Sequence, residues 1–243
     1  MRKKRGYKRE PEVDLLRDYK LFAIACEGGK REPNYFKIFR YISHRISVDI
    51  VDDIVSDNEM NIINSNKSAP KWVLDRAVKY IEKEGLSKED DLWFVMDKDR
   101  WSDAQLREVS DYCNLYPNWH IAISSPCFEV WLYFHKRKHK PDREKFPTCN
   151  SLKNEIASFS SGGYHPLKYI PDFVEAVENS KNNDSNKDFF LPNPHESKVY
   201  LLGEVLMEYI GKNNFDDFIE NKLNDLIDKE KQRREISEGK HKR

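Results

Sequence analysis

The sequence predicts an α/β protein, a mostly parallel sheet with helices on both faces and a helical C-terminal extension. Three observations predict it. Short apolar runs recur at Lys20–Cys26, Leu92–Met96 and Trp119–Ile123, each of strand length and flanked by charge or turn residues. Stretches with apolar residues at helical spacing separate them. Strand–helix alternation of this kind builds parallel sheets, because a parallel partner needs a crossover.

Taken in order, residues 1–19 read as a basic tail, with Arg2, Lys3, Lys4, Arg5, Lys8 and Arg9 and no acid among residues 2–9. The first strand, Lys20–Cys26, breaks at Glu27-Gly28-Gly29-Lys30-Arg31-Glu32-Pro33. Pro33 suits the first residue of a helix whose inner face is Tyr35, Phe36, Ile38, Phe39 and Ile42. Ser47–Val55 reads as a second strand and Asp57–Ala69 as a polar loop. A helix follows over Pro70–Glu84, ended by Gly85. After the central strand, Ser102 caps a helix that runs to Tyr116 and stops at Pro117. Beyond Trp119–Ile123, Ser125 reads as a cap and Pro126 as the first residue of a helix carrying Glu129.

Further on, His135–Lys140 is a basic cluster that reads equally as a phosphate-contact patch or as a solvated helix end. Ser158–Gly163 reads as a linker, Pro171–Ser180 as a helix and Asn179–Asp188 as a polar loop. His195 reads as a solvated loop residue or a proton shuttle. Helices are expected over Lys198–Ile210 and Phe215–Arg234. The organisation expected is a tail (1–19), an α/β core (20–140), a mainly helical part packed on it (141–228) and a second basic tail (229–243).

Composition narrows the class. With 243 residues the chain can bury one large core or two small ones. Charged residues make up 35% and balance to zero, and aromatics make up 12%, which argues for a packed body. No run approaches about 18 apolar residues, so no membrane span is expected. The basic start is followed by no apolar signal segment. Four scattered cysteines without paired ligand spacing suit free thiols in a reducing cytoplasm. The basic ends suit either phosphate backbones or solvent.

The chemistry-bearing residues sit at strand ends. Asp97 and Asp99 follow the central strand at i, i+2, a spacing that puts both on one face of an extended chain. Two carboxylates on one face repel unless a cation lies between them, and a divalent metal on oxygen ligands is one answer. The other is a solvated turn. Glu27 lies in a glycine turn at the carboxyl end of the first strand, where open α/β sheets bind ligands. Glu32 reads as a further acid of that turn or as a charge favouring a helix start. Glu129 has apolar neighbours Phe128, Val130 and Trp131, so it needs a partner, either a metal or a nearby Lys or Arg.

Three segments together, Cys26-Glu27-Gly28-Gly29-Lys30-Arg31-Glu32-Pro33-Asn34-Tyr35-Phe36, Trp93–Asp99 and Ser124-Ser125-Pro126-Cys127-Phe128-Glu129-Val130-Trp131-Leu132, resemble the RloB-like family of bacterial proteins, over about residues 20 to 210. Arg31 stands where that family usually has Thr, and Ser125 where it usually has Asn. The family resembles the Toprim fold of topoisomerases, primases and OLD-type nucleases. The resemblance implies a Toprim-like, Rossmannoid, metal-dependent endonuclease acting on DNA or RNA, tRNA included, in antiphage defence beside a partner ATPase. It implies Glu27, Asp97 and Asp99 as catalytic acids, with Glu32 and Glu129 as additional ligands of Mg²⁺ or Mn²⁺. It also places Tyr164 and Lys168 near the site, where Lys168 would neutralise charge on the scissile phosphate. Two ions about 3.5–4 Å apart can activate water and stabilise a leaving oxygen. Two further readings stay open: a non-catalytic nucleic-acid-binding subunit of an ATPase complex, and a primase- or nucleotidyl-transferase-like activity. Substrate identity, activation trigger and oligomeric state are not encoded in these motifs.

Overall fold

The computed structural model describes residues 17–55 and 69–240. The basic run Arg2–Arg9 and most of the expected polar loop at 57–69 lie outside them.

Four strands, β1 (Lys20–Cys26), β2 (Ile46–Ile50), β3 (Asp91–Asp97) and β4 (Trp119–Ser124), form one sheet in the order β2-β1-β3-β4. All three pairings are parallel. Successive side chains alternate between faces. Phe22, Ile24 and Cys26 of β1 join Trp93 and Val95 of β3 on one face. Ala23 and Ala25 join Leu92, Phe94 and Met96 on the other. With helices on both faces, β1 and β3 are apolar over most of their length, which is why they read as continuous runs.

The second face is covered by α2 (Val51–Ile54), α3 (Pro70–Glu84) and α4 (Asp103–Cys113). Pro70 opens α3, and Gly85 closes it at φ 76°, a conformation that favours glycine. Ser102 accepts from the Gln105 N–H while Gln105 reaches back, a capping box that starts α4. The first face carries α1 (Arg31–Phe36), a 3₁₀ turn (Lys37–Tyr41) and α5 (Glu129–Phe134). Over it pack α6 (Cys149–Ser158), α7 (Phe173–Asn183), α8 (Val199–Ile210), α9 (Lys212–Asp217) and α10 (Leu223–Lys240). Phe173, Leu202 and Phe218 share one buried cluster with Ile24 and Trp93.

Several expectations need correction. The expected strand Ser47–Val55 ends at Ile50, where its pairing with β1 ends. The next four residues turn into α2, which carries Val51 and Val55 into the second core and sets Asp52 against Arg76. Pro33 is the third residue of α1, still in the turn whose N–H groups lack helical partners. Ser125 does not cap a helix. Its N–H donates to Glu196 O (2.9 Å) and its carbonyl accepts from His195 N (2.7 Å), so the chain stays extended and α5 begins at Glu129. The Ser125–Pro126 peptide is cis. His195 is not solvated but buried, with φ 64° and Nε2 2.9 Å from Phe146 O. The end expected as a tail from Lys229 is helical to Lys240. A helix not anticipated, α6, starts at a Thr148–Ser151 capping box.

The basic cluster His135–Lys140 is partly consumed inside the fold. His135 is buried against the Tyr35 hydroxyl (2.8 Å), and burial pulls it down to about 3, which keeps it neutral. Lys136 pairs with Asp172, and Lys140 with Glu196. Among the described residues, no helix is long and apolar enough to cross a membrane.

Candidate functional site

The strand order creates the site. From β1 the chain moves outward to β2, then crosses back to β3 and proceeds outward to β4. The order therefore reverses between β1 and β3, and the loops leaving their carboxyl ends diverge over a crevice. Glu27 is the first residue after β1, and Asp97 is the last of β3.

The acids gather there. The Glu27 N–H donates to Val95 O (3.0 Å), which extends the ladder by one step. Its carboxylate accepts from the Asp97 N–H (3.0 Å) and from Trp101 Nε1 (2.8 Å). Burial raises Glu27 to about 7. The two hydrogen bonds oppose that rise, and the charges of Asp99 and Glu32 add to it. Asp97 is pushed well above the usual carboxylate range, first by desolvation and then by Glu32, Glu27, Cys149 and Asp99. Glu32 is buried and also raised by desolvation, with Arg31 and Lys153 pulling the other way.

Gly28 explains how Glu32 enters. A β-carbon at Gly28 would stand 2.3 Å from Glu32 Oε2, so the carboxylate occupies space that only glycine leaves open. Asp99 arrives differently from expectation. The strand stops at Asp97, so Asp99 is placed by the following loop and not by strand alternation, with Arg100 Nε 3.6 Å away.

Glu129 and Lys168 have protein partners of their own. Glu129 is buried and paired with Arg31. Lys168 donates to the Ser161 carbonyl and lines a cavity of about 330 Å³ with Gly162 and Tyr164. Reading the sequence missed Trp101, Arg31, Arg76 and Cys149. Arg76 is buried behind the crevice, donating to Cys26 O (2.9 Å) and paired with Asp52. Cys149 lies beside Cys127 and close enough to Asp97 to add to its upward shift.

The donor set of Glu27, Glu32, Asp97 and Asp99 consists of hard oxygen ligands. Among the described residues, no three His, Cys, Asp or Glu side chains stand as a ready-made metal group. Mg²⁺ does not demand one, since it usually takes one or two carboxylates and keeps several waters. The residues fit such an ion in chemical kind, with Glu27 engaged by two N–H donors as it stands.

These features define an α/β protein with an acid-lined crevice at the switch point of a parallel sheet. Within that class, the model of RloB-like proteins matches residues 22–206, and the chain belongs to the RloB-like family. No curated protein and no solved structure matches it.

Proposed function

We propose that the chain is a divalent-metal-dependent endonuclease that hydrolyses phosphodiester bonds in DNA or RNA. One observation carries this reading: acids from two segments, Glu27 and Glu32 after β1 and Asp97 and Asp99 at the end of β3, meet at the β1/β3 crevice, and Glu27, Glu32 and Asp97 are all raised. Like-charged groups held close in a desolvated cleft favour a cation or protons. Asp97 and Asp99, with Glu27 and Glu32, would hold Mg²⁺ or Mn²⁺. Bound there, such an ion supplies charge neutralisation at the phosphoryl oxygens and an acidified water.

The chain's own groups set the stage. The Asp97 N–H and Trp101 hold the Glu27 carboxylate in one orientation. Glu27 is raised to about 7, so it would give up its one proton close to neutral pH on holding a cation. Family membership supports adding an antiphage-defence role and a partner ATPase to this reading.

Asp97→Ala tests it. Cleavage of nucleic acid in Mn²⁺ is expected to disappear while the far-UV spectrum stays that of the parent. A variant that folds and cuts like the parent rules the assignment out. A second reading, a non-catalytic nucleic-acid-binding subunit, is favoured by the protein donors already on both Glu27 oxygens. Calorimetric titration with Mn²⁺ separates the two. Absence of metal binding, with nucleic-acid binding intact in EDTA, selects the second.

A further inference from the structure

Phosphate must approach a crevice that carries four carboxylates, so a fixed cation on its rim matters as much as the acids. Arg31 is so placed. It follows the Gly28–Gly29 turn and precedes Glu32, whose carboxylate feels its charge. One guanidinium nitrogen, Nη1, is engaged by Glu129 Oε1. The guanidinium carbon sits 5.2 Å from the centre of the Tyr164 ring, a cation–π contact. The side chain keeps 30% of its exposure. A guanidinium has five N–H donors in a planar fork, and a single carboxylate oxygen leaves most of them unused.

Tyr164 offers a second, independent sign. Its hydroxyl is buried and has no hydrogen-bond partner. An O–H removed from water without an acceptor costs about 1–3 kcal/mol, which an acceptor brought to it would recover. Burial raises this phenol above its ordinary value, with Arg31 pulling the other way, so it stays a neutral donor.

We propose that Arg31 and Tyr164 form an anion subsite on the rim of the acidic crevice, which takes a backbone phosphate of the nucleic acid, and that Glu129 serves as the buried carboxylate holding Arg31 in place. The inference deepens the nuclease reading and rests on it for the identity of the anion. It also gives Glu129 a role other than metal ligand. Glu129 pins one edge of the fork and the Tyr164 ring supports its face, which leaves a preorganised pair of N–H groups and one O–H for phosphate oxygens.

The test uses the full chain and two readouts. Binding of fluorescein-labelled single-stranded DNA and RNA oligonucleotides is measured by anisotropy in EDTA, and Mn²⁺ affinity by calorimetry. Arg31→Ala is expected to weaken oligonucleotide binding roughly tenfold, with partial recovery in Arg31→Lys, which keeps the charge but loses the fork. Tyr164→Phe is expected to weaken it severalfold without loss of folding. Mn²⁺ affinity is expected to stay within about twofold of the parent in Glu129→Gln. Parental oligonucleotide binding in both Arg31→Lys and Tyr164→Phe overturns the subsite, whether or not Arg31→Ala folds. Loss of Mn²⁺ binding in Glu129→Gln overturns the role given to Glu129. If the parent binds oligonucleotides through Arg31 but never cuts them, the nuclease reading fails and the subsite stands.

Discussion

The two ends of β3 carry acids in opposite states. At its start, Asp90 is buried and accepts from Arg17, Leu21 N (3.2 Å), Ser87 N (3.2 Å) and Ser87 Oγ (2.7 Å). Burial pushes it up, but the bonds from Ser87 and Arg17 outweigh that and hold it below the usual carboxylate range. Asp91 beside it pairs with Lys20 at 2.9 Å. At the other end, seven residues of strand later, Asp97 is pushed up by desolvation and by its acidic neighbours. One strand thus carries both an acid neutralised by protein donors and an acid raised by desolvation and acidic neighbours.

The strongest way to break that contrast is to remove one acid from each end. Asp90→Ala leaves Arg17 and the Ser87 and Leu21 donors without their acceptor, and is expected to cost about 2–4 kcal/mol. Asp97→Asn removes a repelling charge and is expected to leave stability in EDTA equal to the parent or higher. Urea denaturation midpoints measure both. Equal losses at the two sites would erase the distinction.

A second, slightly smaller effect is in pH. Glu27 has a folded value of about 7 against 4.5 unfolded, so its contribution to stability is fully present below 4.5 and lost as pH rises towards 7. The loss is up to about 3 kcal/mol for this one group. Asp90 acts with the opposite sign: its contribution is present above 3.8 and is lost as pH falls further. Melting in EDTA across pH 3 to 8 should therefore show a fall between 4.5 and 7, and Mn²⁺ should remove it. A flat profile over that window would mean that Glu27 is not strained by its surroundings.

The mildest change sharpens the comparison at a single bond. Trp101→Phe keeps an aromatic ring but deletes the indole donor to Glu27 Oε1. The Glu27 titration is expected to move further up, and stability to fall by about 1 kcal/mol. Nuclear magnetic resonance titration of the glutamate carboxyl carbons reads this out.

Strand and helix positions were legible where the signal was local. β1 and β3 are buried on both faces over most of their length and so appear as apolar runs. Pro70 and Gly85 mark the ends of α3 by backbone geometry alone. Val51–Val55 misled because Val51, Ile54 and Val55 suit the end of a strand or a single helical turn equally. Ser125-Pro126 carries the local signature of a helix start, but backbone partners at His195 and Glu196 hold it extended. In the site, the acids were legible as strand-end carboxylates. The Arg31–Glu129 pair spans 98 residues of sequence, and nothing local marks it. The Trp101 contact with Glu27 was hidden likewise, since a tryptophan announces burial and not which acid its N–H will meet.

The segment at 195–198 is antiparallel to β4 and lies along its outer margin, with Ser124 bridged to Ser197 and Lys198 N bonded to Ile123 O at 2.7 Å. This has a consequence for the order of events during synthesis. Every acid of the crevice has been translated by Asp99, yet the backbone clamp on β4 comes from residues made some seventy positions after that strand. A nascent chain stalled before that point carries all the carboxylates but an unbraced wall. The ribosome must therefore deliver most of the protein before β4 gains this outer partner.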